Sequence, residues 1–179
     1  VSHRALLDRA GAECPQWLAN TLLYFAYYLF RRNRSDQSPV YATPTPVLAE
    51  IAREFRENLR RIGVERIMRF RMHDMHLDIR AAWLAAAAGS LHESPAELLS
   101  SATPGQARVA IYSSESEPPS GLRALEPDSS ITAIKSRSIE YLEEEWVYQH
   151  IVIVQHAKER PIVLGCDSSF VLEFGGTAM

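Results

Sequence analysis

The chain has 179 residues, of which 46% are hydrophobic and 23% charged, and its formal net charge is −3. That length suits one domain, or a domain with a small appendage, and the composition excludes a wholly disordered chain. The net charge excludes a basic field over the whole surface but hides an asymmetry: residues 1–112 hold 14 Arg and no Lys against 11 acidic residues, whereas residues 113–179 hold 5 basic against 11 acidic residues. Cys14 and Cys166 make neither a metal spacing nor a disulfide framework. His3, Arg4, Asp8 and Arg9 interrupt any apolar signal-peptide core at the start, so the expected location is cytoplasmic.

In chain order, Trp17 to Phe30 has 12 apolar residues in 14, short of the roughly 20 that a membrane span needs. The expectation is a buried core helix, opened by Pro15 and ending near Asn33, with no membrane partner. Residues 34–46 read as a polar loop punctuated by Pro39, Pro44 and Pro46. The next helix has Thr45 as a cap, Pro46 at its first position and Gly63 at its end. Val47, Leu48, Ile51, Phe55, Leu59 and Ile62 form its apolar face, Arg53, Arg56 and Arg60 a separate stripe, and Glu57 can pair with Arg61. Residues 74–88 read as a helix capped by Asp74 and ended by Gly89, and Ser94-Pro95-Ala96-Glu97 as a capping box opening a short helix through Leu99. Residues 113–130 are rich in Ser, Pro and acid and read as a linker or mobile loop. Trp146–Gln155, Ile162–Leu164 and Phe170–Phe174 read as strands, with a turn over 157–161. The expected architecture is α+β: a mainly helical N-terminal body over 1–112, the linker, and a small antiparallel β-sheet within 131–179.

Segment 45–112 resembles the C-terminal half of a tyrosine recombinase (phage-integrase type) catalytic domain. The likeness rests on the basic amphipathic helix Phe55-Arg56-Glu57-Asn58-Leu59-Arg60-Arg61-Ile62-Gly63, the run Arg69-Phe70-Arg71-Met72-His73-Asp74-Met75-His76-Leu77-Asp78-Ile79-Arg80, then Pro95-Ala96-Glu97-Leu98-Leu99 and Tyr112. The resemblance implies a DNA-binding protein with Tyr112 as nucleophile, forming a phosphotyrosine during strand cleavage and rejoining. Arg80 becomes the phosphate clamp, His76 or His73 a proton-moving group, and Arg53, Arg56, Arg60, Arg69 and Arg71 the grip on the backbone of DNA. Laying Asp78-Ile79-Arg80 on the family's box keeps its arginine and puts Leu77 at its histidine; laying His73-Asp74-Met75-His76 there replaces the arginine by His76. Ser100-Ser101 stands where the family has Gly-His, and the lysine hairpin has no counterpart before Lys135.

Two other readings compete. One is a non-catalytic α+β interaction module that binds a protein partner through its acidic C-terminal part. The other is a metal-dependent enzyme using His73, Asp74, His76 and Asp78, although these match no standard ligand motif and the simpler role for them is capping and surface charge. His150 and His156 read as strand-end residues, Glu143 to Glu145 as a solvated run, and Gly165-Cys166-Asp167-Ser168 as a nucleophile candidate with no base placed by the sequence. Gly175-Gly176 lies in the tail, no glycine loop cradles a phosphate, and no cofactor is expected.

Overall fold

The computed structural model describes residues 3–11, 14–32, 43–72, 75–91, 93–100, 103–156, 161–167 and 171–174. Within them lie helices α1 (His3–Ala10), α2 (Gln16–Arg32), α3 (Thr45–Ile62), α4 (Val64–Arg69) and α5 (Leu77–Ala88). Strands β1 (Ala96–Leu99), β2 (Gln106–Ser113), β3 (Arg123–Ala124), β4 (Ser130–Tyr141), β5 (Glu144–Gln155), β6 (Ile162–Gly165) and β7 (Val171–Phe174) follow. The α+β class and the order of helices before strands are as the sequence led one to expect. The chain divides into two units, one of residues 1–91 with 139–147 and one of residues 92–138 with 148–179. Tyr112 and the segment 113–130 therefore fall in the second unit, with β2 and β3.

The helical unit is organised around α5. Its residues Ala81 to Ala86 are all buried, so it is apolar on every side and packs as a central helix rather than an amphipathic one. α3, α4 and α2 lie against it. Phe30 of α2 is fully buried beside Trp83, Tyr141 and Trp146, with ring centroids 5.8, 4.7 and 4.9 Å away, spacings at which tilted and edge-to-face aromatic pairs gain energy beyond simple burial. The α2 expectation needs correction. Leu18, Leu22, Leu23, Ala26, Tyr27 and Phe30 are buried, but Trp17 and Phe25 are 68% and 58% exposed, because one helix face suffices to fill the core. No helix among the described residues is long and apolar enough to cross a membrane.

α3 forms as its pattern dictates, burying Leu48, Ala52, Leu59 and Ile62. Pro44, not Thr45, is its N-cap, and Gly63 ends it at φ 85°, donating its N–H to the Leu59 carbonyl at 2.9 Å; glycine takes that φ without a Cβ penalty. Asp74 and most of the loop 34–46 lie outside the described residues, as does 157–160.

There are two sheets among the described residues, one in the order β1-β2-β5-β4 and one in the order β3-β6-β7, and both lie in the second unit except for the β4–β5 hairpin end, residues 139–147, which counts with the first. β1 and β2, and β2 and β5, are antiparallel, with Ala96 opposite Ile111 and Tyr112 opposite Gln149. Val109, Ile111, Val152, Val154, Ile162 and Leu164 share a core with partly buried Leu172 and Phe174, the period-two inward pattern of paired sheets. The helix expected at Ser94–Leu99 is instead strand β1: pairing with β2 outweighs a local capping signal. β4 and β5 are joined by Leu142 and Glu143, which have φ values of 56° and 58°, as a two-residue hairpin turn requires.

Candidate functional site

A hydrogen-bonded row crosses all four strands of the first sheet. Arg137 Nε on β4 donates to Gln149 Oε1 on β5 at 2.7 Å. Gln149 Nε2 donates to the Tyr112 hydroxyl on β2 at 2.8 Å, and that hydroxyl donates to Glu97 Oε1 on β1 at 2.8 Å. Gln149 and Tyr112 are 5% and 2% exposed, so the middle of the row is dry and its ends are charged. The direct opposition of Tyr112 and Gln149 in the register sets the central link. In this arrangement the Tyr112 hydroxyl is enclosed and donates its proton to a carboxylate. Tyr112 thereby links three strands.

Beside the row, His150 is fully buried in β5, not at a strand end. Ser113 Oγ lies 2.8 Å from its Nε2, and Ser136 Oγ 2.8 Å from its Nδ1. The Ser113 hydroxyl donates to the Glu115 carbonyl at 2.7 Å, so it accepts from an Nε2–H, and Ser136 donates to an unprotonated Nδ1. Burial pulls the His150 pKa down, against the opposing pull of the Glu115 backbone and the Glu117 carboxylate. A neutral imidazole with both nitrogens satisfied is a cross-strand tie.

The other sequence-predicted residues sit in the helical unit. Arg80 is half-buried on α5, donating to the Phe70 carbonyl at 3.1 Å and the Met75 sulfur at 3.4 Å. Burial, and secondarily the Arg71 charge, lowers its pKa. His76 caps α5 through its backbone and is exposed; His73 lies outside the described residues. Arg56 pairs with the Glu144 carboxylate, donates to the Glu145 carbonyl at 2.8 Å and lies 4.2 Å from the centre of the Trp146 ring. Glu144 is thus an ion-pair partner rather than part of a solvated run. Arg53 pairs with Glu50 and Arg69 with Glu65, while Arg71 donates to the Met68 carbonyl. Arg61 binds Asp8 at 2.7 Å, in place of the expected Glu57. Arg60 is exposed. Much of the expected DNA grip is therefore neutralised by acids of the same unit. No group of three or more His, Cys, Asp or Glu among the described residues could hold a metal ion.

One basic cluster escapes neutralisation. Leu99, Arg108, Lys135, Ser136, Arg137, Gln149 and Ile151 line an open cavity of about 410 Å³ on the first sheet. It contains three cations and no carboxylate. Neither Arg108 nor Lys135 has an ion-pair partner among the described residues, and Arg137 engages protein only through Nε. Sequence reasoning missed these residues because residues 130–141 were not read as a strand. The signal was present in partly buried Ile131 and Ala133 alternating with exposed Ser130 and Thr132. No family model, curated protein or solved structure matches the chain.

Proposed function

We propose that the protein is a non-catalytic α+β interaction module that receives an extended segment of a protein partner along β4. The observation that carries this reading is the position of β4: a twelve-residue strand at the end of its sheet, exposed from Ile134 through Arg137. An edge strand presents a row of unpaired N–H and C=O groups, a template for strand addition. Strand cleavage by Tyr112 draws no support from a hydroxyl bonded on both sides, and DNA binding by α3 draws little from arginines already paired with acids.

Backbone amide exchange, followed by NMR during titration with extended peptides, tests the reading. Binding by strand addition gives new protection at alternate amides within residues 131–137. A protein that binds duplex DNA in a salt-dependent manner, with no peptide protecting β4, contradicts it.

A further inference from the structure

We infer that the partner segment is anionic, and that Lys135 and Arg137 read its carboxylate or phosphate groups as it lies beside β4, within a positive field to which Arg108 adds. This rests on the strand-addition reading and adds the chemistry of the occupant to it.

Charge complementarity carries the inference. Residues 113–179 hold 11 acidic residues against 5 basic ones, yet two of those five, Lys135 and Arg137, share one cavity with Arg108. Like charges gathered with no ion-pair partner among the described residues repel one another and are relieved by an anion. Two of the three cations are at the edge: Lys135 and Arg137 are on the terminal strand itself, whereas Arg108 is on the interior strand β2, across Gln149 and Ile151 of β5. The bond from Arg137 Nε to Gln149 restrains the guanidinium and leaves its terminal nitrogens without a protein acceptor among the described residues. A restrained planar fork loses less freedom on meeting an oxyanion.

An edge lysine discourages pairing with a neutral or basic strand, and the same charge favours an acidic one, so the cluster supplies selection as well as attraction. Exposed ion pairs are individually weak. Main-chain bonds along β4 therefore supply the affinity, and the cations supply the choice. A single-stranded nucleic acid fits less well. Such ligands on open sheets are held by aromatic stacking, and the cavity is lined by Leu99, Ile151, Gln149 and Ser136 with no aromatic ring.

The test uses peptides of about ten residues sharing one β-forming sequence and carrying Glu, Gln, Lys or phosphoserine at alternate positions. The whole chain is compared with the double charge-reversal variant Arg108→Glu, Lys135→Glu, and both substituted residues are exposed. The expected result is tighter binding of the Glu or phosphoserine peptide than of the Gln peptide, with the Lys peptide weakest. The double variant weakens the anionic peptide about tenfold or more, far more than it changes the Gln peptide, whose retained binding also reports that the sheet is intact. The Glu and phosphoserine arms tell a carboxylate source from a phosphate source. Equal protection of β4 by all the peptides overturns the anionic occupant and leaves strand addition standing. No protection by any peptide overturns both. Protection that rises with protein concentration alone assigns the edge to a second copy of the chain, and salt-sensitive DNA binding lost in the double variant assigns the cluster to nucleic acid; either overturns the inference.

Discussion

The Tyr112 hydroxyl donates to the Glu97 carboxylate at 2.8 Å while accepting from the amide of Gln149. Three strands are thereby tied through one oxygen that is shut away from solvent. Tyr112→Phe leaves the buried Gln149 amide without that acceptor and Glu97 without that donor, and each lost partner carries a desolvation cost. The expected loss of stability is about 1–3 kcal/mol, measured by urea denaturation. Incubation with nicked duplex DNA is expected to leave no covalent protein–DNA adduct for either protein, and a wild-type adduct that disappears in Tyr112→Phe would restore the nucleophile role.

Arg56 is the member of the α3 stripe most embedded in the fold, between the Glu144 carboxylate, the Glu145 carbonyl and the Trp146 ring. Arg56→Ala is expected to cost about 1–2 kcal/mol through the combined cation–π and charge-assisted contacts. Arg53→Ala and Arg60→Ala, both at exposed residues, should change stability by no more than about 0.5 kcal/mol. Thermal unfolding of the three variants separates them; equal small effects would mean that Arg56 is not a packing residue.

The hairpin turn stores a local conflict. Leu142 and Glu143 both adopt positive φ, a region that costs an L-residue roughly 1–2 kcal/mol. Leu142 is fully buried, so its packing offsets the strain, whereas Glu143 is exposed and gains nothing comparable from burial. Glu143→Gly is expected to stabilise by about 0.5–1 kcal/mol, and Leu142→Gly to destabilise by about 2 kcal/mol through loss of its buried side chain. Chemical denaturation of both variants checks the opposite signs.

His150 gives stability a pH dependence. Its folded pKa is lowered by burial, so the unfolded chain takes up a proton first as acid is added. Stability is full above the ordinary imidazole pKa of about 6.5 and declines as pH falls below it. His3, whose pKa burial also lowers against the pull of Glu54, contributes a decline of the same sign. His150→Asn should flatten the stability profile between about pH 7 and 5.5, the window set by those ordinary values. An unchanged slope would place the titrating group elsewhere.

The elements that were legible in the sequence carry their signals locally. α3 has its proline start, glycine stop and uninterrupted apolar stripe, and β5 and β6 are rich in β-branched residues. What escaped depends on distant partners. Ser94–Leu99 has a helix-start signature, but Ala96 to Leu99 bond to Ile111 through Arg108, and no local pattern announces that pairing. β4 hides behind exposed polar residues because it lies at an edge, with four consecutive exposed positions from Ile134 to Arg137. The same edge position obscured the candidate site, since Arg108 and Lys135 are 27 positions apart in number and meet only through the order of strands. Tyr112 drew notice through its spacing from Arg80, yet the two belong to different units, and its chemistry is set by Gln149, which sequence gave no reason to single out.

Amide hydrogen exchange of β4 in the free protein tests the central claim most directly. An open edge is expected to show fast exchange at alternate residues within 131–137, against slow exchange through Val152 and Val154 of the neighbouring interior strand. Slow exchange at every β4 amide in dilute protein without a ligand would show that the edge is already occupied, and would contradict a docking site for a partner segment.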